Sequence, residues 1–315
     1  MRPRVTPATL RPMRVLVTGA TGFVGRLLVP ALVGAGHEVV VVSRDPDRSK
    51  ALLPDVSEAH AWAPRAERAP ADAVRVDGVI HLLGENVAGR WTASKRERIS
   101  GSRKEGTRNL VEAIAALPAE ERPRVLVSAS AVGYYGERGE SEITEETEPG
   151  TDFLADVCRD WEAEAVVAES VGLRVVRMRM PLLVDPSGGA LEQMLPLAKA
   201  GLGGPLGSGR QWWCWVSAAD VVQFAVAAVG EERFAGAYNL CAPNPVRQKE
   251  FAATLGRVLG RPAFLPAPTF VLKTVLGAFS VEVLGSKRQI PARLLAMDWE
   301  FRDPELEPAL RRMLG

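Results

Sequence analysis

Residues 15–25 read VLVTGATGFVG, and three glycines in that stretch decide the fold. Gly19, Gly22 and Gly25 stand in the spacing Gly-x-x-Gly-x-x-Gly, directly after a β-branched run and at the opening of a helical pattern. Each glycine then has its own use. Gly19 permits a tight turn, Gly22 lets backbone approach a pyrophosphate, and Gly25 lets helix and strand pack closely. The helix that begins near Phe23 offers free N–H groups and roughly half a positive charge to phosphate oxygens. Gly19, Thr21, Gly22, Phe23, Val24 and Gly25 are therefore the predicted dinucleotide cradle.

Working outward, RVLVTG, HEVVVVS, DGVIHLLG, PRVLVSAS and GLRVVRMRM are short runs, most of them β-branched and apolar on both faces, separated by longer helical patterns. Strands covered on both sides by helices have this character, so the fold class is α/β. A Rossmann-type, doubly wound parallel sheet with a smaller, mainly helical C-terminal lobe is expected. The segment TASKRERISGSRKEGTRNLVEAIAAL crosses between the fourth and fifth strands as a long charged helix, with Thr92 or Ser94 as N-cap. Pro30 lies inside the first helix and is read as a bend, not a stop. SVEVLGSKRQI is open between strand and helix end. The expected division is a tail over 1–12, a nucleotide-binding domain over 13–178 to which 215–241 returns, and a substrate lobe over 179–214 and 242–315.

Composition narrows the partners. The chain has 315 residues, 47% hydrophobic and 24% charged, with 39 Lys and Arg against 38 Asp and Glu. A formal net charge of +1 leaves no basic field for nucleic acid or anionic lipid, so any ligand anion must be held locally. No run approaches the roughly 20 apolar residues of a membrane span, and the opening lacks the apolar region of a signal peptide. Cys158, Cys214 and Cys241 lie far apart with no Cys-x-x-Cys spacing, and His37, His60 and His81 are equally scattered. Neither zinc site nor disulfide framework is indicated, and a reducing cytoplasm is the expected compartment. A homodimer through the long crossover helix is compatible with the sequence.

The second strand ends in Ser43 and Arg44. A carboxylate there suits the ribose 2′-hydroxyl of NAD, whereas arginine accommodates a 2′-phosphate, so NADP is expected ahead of NAD. Asp45 is the competing carboxylate, but Asp45-Pro46 also reads as N-cap and first residue of a short helix.

The glycine turn, the VIHLLG strand, the GTRNLVEAI helix and the SAS strand end together resemble the extended short-chain dehydrogenase/reductases. GENVAGRWT, SRKEGTRNL, SASAVGYYG, RDWE and GSGRQWWCW resemble, more narrowly, a branch often labelled NAD-dependent or sugar-nucleotide epimerase. The resemblance runs from Arg14 to the C-terminus. It implies Leu83 and Gly84 beside the cofactor, and Pro181 with Leu182 against the nicotinamide ring. It also implies a strand-end hydroxyl followed by Tyr-x-x-x-Lys, the tyrosine moving a proton and the lysine lowering its pKa and holding the ribose. Counting back from the WE of DFLADVCRDWE puts Leu154 and Cys158 in those two places. Neither has the chemistry.

Replacement acid/base groups are sought in Ser128, Tyr134, Tyr135 and Glu85, with Ser130 beside Ser128. A strand-end hydroxyl that merely satisfies backbone is the alternative for the serines. Arg138 lies four residues after Tyr134, but the glycines of YYGERG argue against a helix that would align them. Glu85 serves only if burial raises its pKa, and a helix-capping or salt-bridged glutamate is the alternative. Asn86 and Arg103, which stands where extended relatives have asparagine, join Arg210 and Trp212 of GSGRQWWCW as substrate contacts. Trp213 and Trp215 are either lid or core. The arginine of nucleotide-sugar enzymes aligns with Trp213, which argues against a uridine diphosphate. Two functions stay open: an NADP-binding oxidoreductase or epimerase acting on a small molecule, and a dinucleotide-binding regulatory or scaffold protein without catalysis.

Overall fold

The computed structural model describes residues 11–315, so the tail expected over 1–12 lies outside the described residues up to position 10. Seven strands, β1 (Arg14–Thr18), β2 (Glu38–Ser43), β3 (Glu58–Ala61), β4 (Gly78–His81), β5 (Val125–Ala131), β6 (Arg174–Met180) and β7 (Gly236–Asn239), build one sheet. Its order is β7-β6-β5-β4-β1-β2-β3, and every pairing is parallel. The order reverses between β1 and β4, the switch point where open α/β sheets take ligands.

Alternation along each strand fills both faces. Val15 and Val17 meet Leu28 and Leu32 of α1 (Phe23–Gly34) together with Phe224 on one side. Leu16 faces the other way, into the core that holds Leu110 and Ile114. Those two belong to α3 (Ala93–Ala115), the long crossover, whose N-cap is Thr92, its hydroxyl accepting from Lys95 N. The shorter α2 (Pro46–Leu52) follows β2, and α4 (Phe153–Val166) leads into β6. α1 runs through Pro30, which is exposed, so the carbonyl its ring leaves without a donor is open to water.

After β6 the chain leaves the sheet and returns through α5 (Ala218–Gly230) and β7. The remaining segments make a second core from Leu191, Leu195, Phe251, Leu255, Leu306 and Leu310. The ambiguous SVEVLGSKRQI is helix and strand in turn: Ser280–Leu284 is helical, and Arg288–Gln289 pairs in parallel with Glu142–Ile143. Among the described residues no helix is long and apolar enough to cross a membrane.

Candidate functional site

The glycine turn closes on itself through a hydrogen bond from Gly22 N to Gly19 O at 3.0 Å. Gly19 has φ +69, and a Cβ there would lie 3.0 Å from the Leu82 carbonyl at the exit of β4. A Cβ on Gly25 would stand 2.5 Å from the carbonyl oxygens of Gly19 and Ala20, so only glycine lets α1 approach this turn. Gly22 is the N-cap, no side chain caps it, and the first turn of α1 has no acidic residue. Its leading amides are thus open to an anion, as a dinucleotide's pyrophosphate requires. The lobe bears on the same place, because a Cβ on Gly188 would overlap the Phe23 ring.

At the end of β2 the carboxylate of Asp45 accepts from Arg48 N at 3.0 Å and caps α2, with Pro46 in the first helical position. Ser43 Oγ accepts from Asp45 N and from Ser49 Oγ. Arg44 and Arg48 are both exposed and neither forms an ion pair among the described residues. A 2′-phosphate would find two guanidinium groups here, and the carboxylate next to Arg44, that of Asp45, is already engaged.

The switch point is stitched by His81. The pairing register aligns Thr18, His81, Ser128 and Arg177 across four strands. His81 Nδ1 is hydrogen-bonded to Thr18 Oγ1 at 2.7 Å and Nε2 to Thr107 Oγ1 at 2.9 Å. Burial lowers its pKa from 6.5 to about 3, so the ring is neutral and ties β1, β4 and α3 together. The sequence carries one signal of this, a polar residue ending each of two apolar strands.

Several expected acid/base groups are otherwise occupied. Ser128 is fully buried within β5, and its hydroxyl donates to Ala129 O at 3.2 Å. Ser130 Oγ donates to Glu162 Oε1 at 2.6 Å. Tyr135 is fully buried, donates its phenolic proton to Asn239 Oδ1 at 2.6 Å and accepts from Arg179 Nη1 at 2.9 Å. Burial pushes its pKa above the usual phenol range. Glu85 departs furthest from its expectation. Lys95 Nζ lies 2.9 Å from its carboxylate and holds the pKa below the ordinary value, the reverse of the rise an acid/base role needs. Tyr134 is half-buried and its hydroxyl has no hydrogen bond among the described residues, with the Arg179 guanidinium 3.6 Å from its ring centre. Tyr134 lies within a short 3₁₀ turn over Val132–Tyr135, and Arg138, beyond its end, donates to the carbonyls of Tyr135, Glu148 and Pro149, so the two share no helix face.

What sequence reasoning missed is the buried ionic centre beneath these residues. Arg179 forms two hydrogen bonds of 2.8 Å to Glu162, which also receives Arg177 and Ser130. Asn239 of β7 joins it through Tyr135 and receives Gln289 Nε2 from the lobe. No local pattern announces such pairing, since Glu162 sits on α4 and Arg179 on β6.

The substrate candidates fall into two groups. Asn86 Oδ1 accepts from Ala88 N and shapes the loop after β4, while Arg103 reaches the same loop from α3. That loop meets the lobe at Trp91, 5.2 Å from Phe153 and 5.9 Å from Phe279. Trp212 lies instead on a two-stranded ribbon of the lobe, Trp212–Trp213 against Val246–Arg247, and Arg210 in the loop before it. Arg210 lines a surface cavity of about 210 Å³ with Glu140, Arg247 and Lys249. Trp212 is stacked by Arg247 at 3.8 Å and donates to Glu140. Trp213 and Trp215 are core residues, Trp213 packing on Phe251 at 5.6 Å. Pro181 and Leu182 are half-buried at the strand exit, Leu182 opposite Trp215. Among the described residues no cluster of His, Cys, Asp and Glu has the form of a metal site.

A parallel sheet with a glycine turn at its switch point defines the Rossmann class. Residues 15–241 match the NAD dependent epimerase/dehydratase family, and the chain belongs to that family; residues 267–313 match a domain of unknown function, DUF1731. It is 37% identical over 309 residues to the Arabidopsis thaliana chloroplastic homolog of epimerase family protein SDR39U1, covering 96% of this chain and 87% of that one. It is 33% identical to epimerase family protein YfhF of Bacillus subtilis, covering 96% and 98%. The human epimerase family protein SDR39U1, solved with NADPH, superposes with TM-score 0.84 at 32% identity, covering 96% and 99%.

Proposed function

We propose that this chain binds NADP(H) at the glycine turn and exchanges hydride with a small molecule, as a reductase or an epimerase-like enzyme with a non-standard acid/base set. One observation carries the coenzyme choice: Asp45 is spent as the cap of α2, while Arg44 stands exposed without an ionic partner beside it. The solved human relative with NADPH supports the same choice. When bound, the nicotinamide supplies or accepts the hydride. This chain's residues do the rest. The turn and the leading amides of α1 grip the pyrophosphate, and Arg44 with Ser43 selects the 2′-phosphate. The lobe over 179–214 and 242–315 closes the cleft through Trp91 and Phe279 and restricts water.

Of the four acid/base candidates, Tyr134 keeps the role in this reading, because the protons of Ser128 and Tyr135 are committed elsewhere and Glu85 is held ionised. Titration of the protein with NADPH and NADH is the test. NADPH is expected to bind tighter by at least about 10-fold, and Arg44→Asp to erase the preference, one charge-assisted contact being worth about 1.5–3 kcal/mol. Tighter NADH binding rejects the coenzyme assignment. Coenzyme oxidation against aldehydes, ketones and quinones, with product analysis for redox-neutral turnover, tests the chemistry. Turnover unchanged in Tyr134→Phe removes Tyr134. No turnover with any substrate, despite tight binding, favours the regulatory reading, which the leucine and cysteine at 154 and 158 already support.

A further inference from the structure

Arg103 is a cation without an ion-pair partner among the described residues. Its half-buried side chain rises from α3 toward the end of β4, where Nη1 donates to Glu85 O at 3.0 Å and Ile99 O at 3.2 Å. Its guanidinium lies over the Trp161 ring at 4.9 Å, and a Cβ on Gly84 would come within 3.0 Å of it. No carboxylate forms an ion pair with it among the described residues, since Glu85 turns its own to Lys95 and Arg98. The other deeply placed arginines differ. Arg179 is paired with Glu162, and Arg174 spreads over the carbonyls of Ala228, Val229 and Phe234. Desolvation lowers the pKa of Arg103, and the Glu85 carboxylate, bound to Lys95 and Arg98, offsets it only in part. Cys158 is a buried thiol pushed up to about 12 by burial, so it supplies no counter-charge.

The topology says what faces this cation. The 2′-phosphate side of the cleft lies at β2, and a dinucleotide crosses the sheet at the β1/β4 switch point, so its other half must extend over the ends of β4 and β5. The would-be Cβ of Gly19 meets the Leu82 carbonyl, and Gly84, two residues on, abuts Arg103. Phosphate turn, β4 exit and guanidinium therefore follow one another along that path. We propose that Arg103 is a ligand of the nicotinamide-ribosyl half of the coenzyme, taking the cationic place left empty at Cys158, and that its charge biases the site toward the reduced coenzyme. The bias follows from Coulomb's law, because the oxidised ring is positive and the reduced ring neutral.

The inference rests on the coenzyme reading above, and the test separates the two. Binding of NADPH, NADP⁺ and adenosine 2′,5′-bisphosphate, which lacks the nicotinamide riboside, is measured on wild type, Arg103→Met, Arg103→Lys and Arg103→Met/Cys158→Lys. Arg103→Met is expected to weaken NADPH by about 10-fold or more and leave the bisphosphate within about twofold. The wild-type preference for NADPH over NADP⁺ should shrink several-fold in Arg103→Met, persist in Arg103→Lys and return with the lysine at 158. Unchanged NADPH affinity in Arg103→Met overturns the proposal. So does equal weakening of NADPH and bisphosphate, or a redox preference that no variant alters. A wild type that binds none of the three overturns the coenzyme reading as well.

Discussion

The two halves of the sheet's carboxyl edge, on either side of the switch point, treat their polar groups in opposite ways. On the β1/β2 side the leading amides of α1 have no side-chain cap, and Arg44 and Arg48 have no ionic partner among the described residues. On the β5/β6 side, Ser130, Glu162, Arg179, Tyr135 and Asn239 satisfy one another in a closed, buried web. Exposed amides and guanidinium groups with no protein partner are held by water that an anion can replace, so the first side is open to an anionic ligand. The second has the physics of a keystone, and its position beneath Tyr134 lets it hold that ring without sharing its proton.

The largest expected effect breaks the keystone. Glu162→Ala leaves the buried Arg179 and the half-buried Arg177 without their carboxylate, and urea unfolding should show a loss of about 3–5 kcal/mol. A loss under about 1 kcal/mol contradicts the description of that side as structural. Gly25→Ala probes the other side, where a methyl must enter between α1 and the turn. About 1–3 kcal/mol of stability should go, with NADPH affinity falling at least about 10-fold. Equal NADPH binding by this variant counts against the cradle.

His81 joins the two sides and gives a signed pH dependence. Its folded pKa is lowered to about 3 from 6.5, so between those values the unfolded chain holds the proton and the folded one does not. Stability is fully present above pH 6.5 and falls as pH drops toward 3, by up to about 1.4 kcal/mol per unit. His81→Gln should flatten that slope in urea midpoints measured over the same window. The smallest effect belongs to the exposed ribbon. Hydrogen bonds from Arg247 and Trp212 lower the Glu140 carboxyl from 4.5 to about 2. Its contribution, present above 4.5, is lost as pH falls toward 2, and added salt should nearly abolish the difference between wild type and Glu140→Gln.

Legibility in the sequence followed the same division. The turn, the Thr92 and Asp45 caps and the run of α1 through Pro30 were readable because each depends on residues a few positions apart. The tryptophans were not. Trp212, Trp213 and Trp215 share one motif, yet the first is stacked between arginines on the surface and the other two are core. Alternation predicts that neighbours differ, but not which face the lobe will cover. Glu85 stayed open in the sequence between an acid/base group and a salt-bridged one for a related reason, since its partner Lys95 sits on the next helix and lowers its pKa.

By itself the amino-acid order determined the parallel sheet, the glycine-lined turn and the absence of tyrosine and lysine at 154 and 158, because periodicity, backbone freedom and side-chain chemistry are local properties. Only the tertiary structure decided that Tyr135 is locked, that Glu162 answers Arg179, and that Arg103 beside Cys158 has no ion-pair partner among the described residues. Those outcomes depend on which distant groups share a low-dielectric interior, and burial sets the strength of every such interaction only after the chain has closed around it.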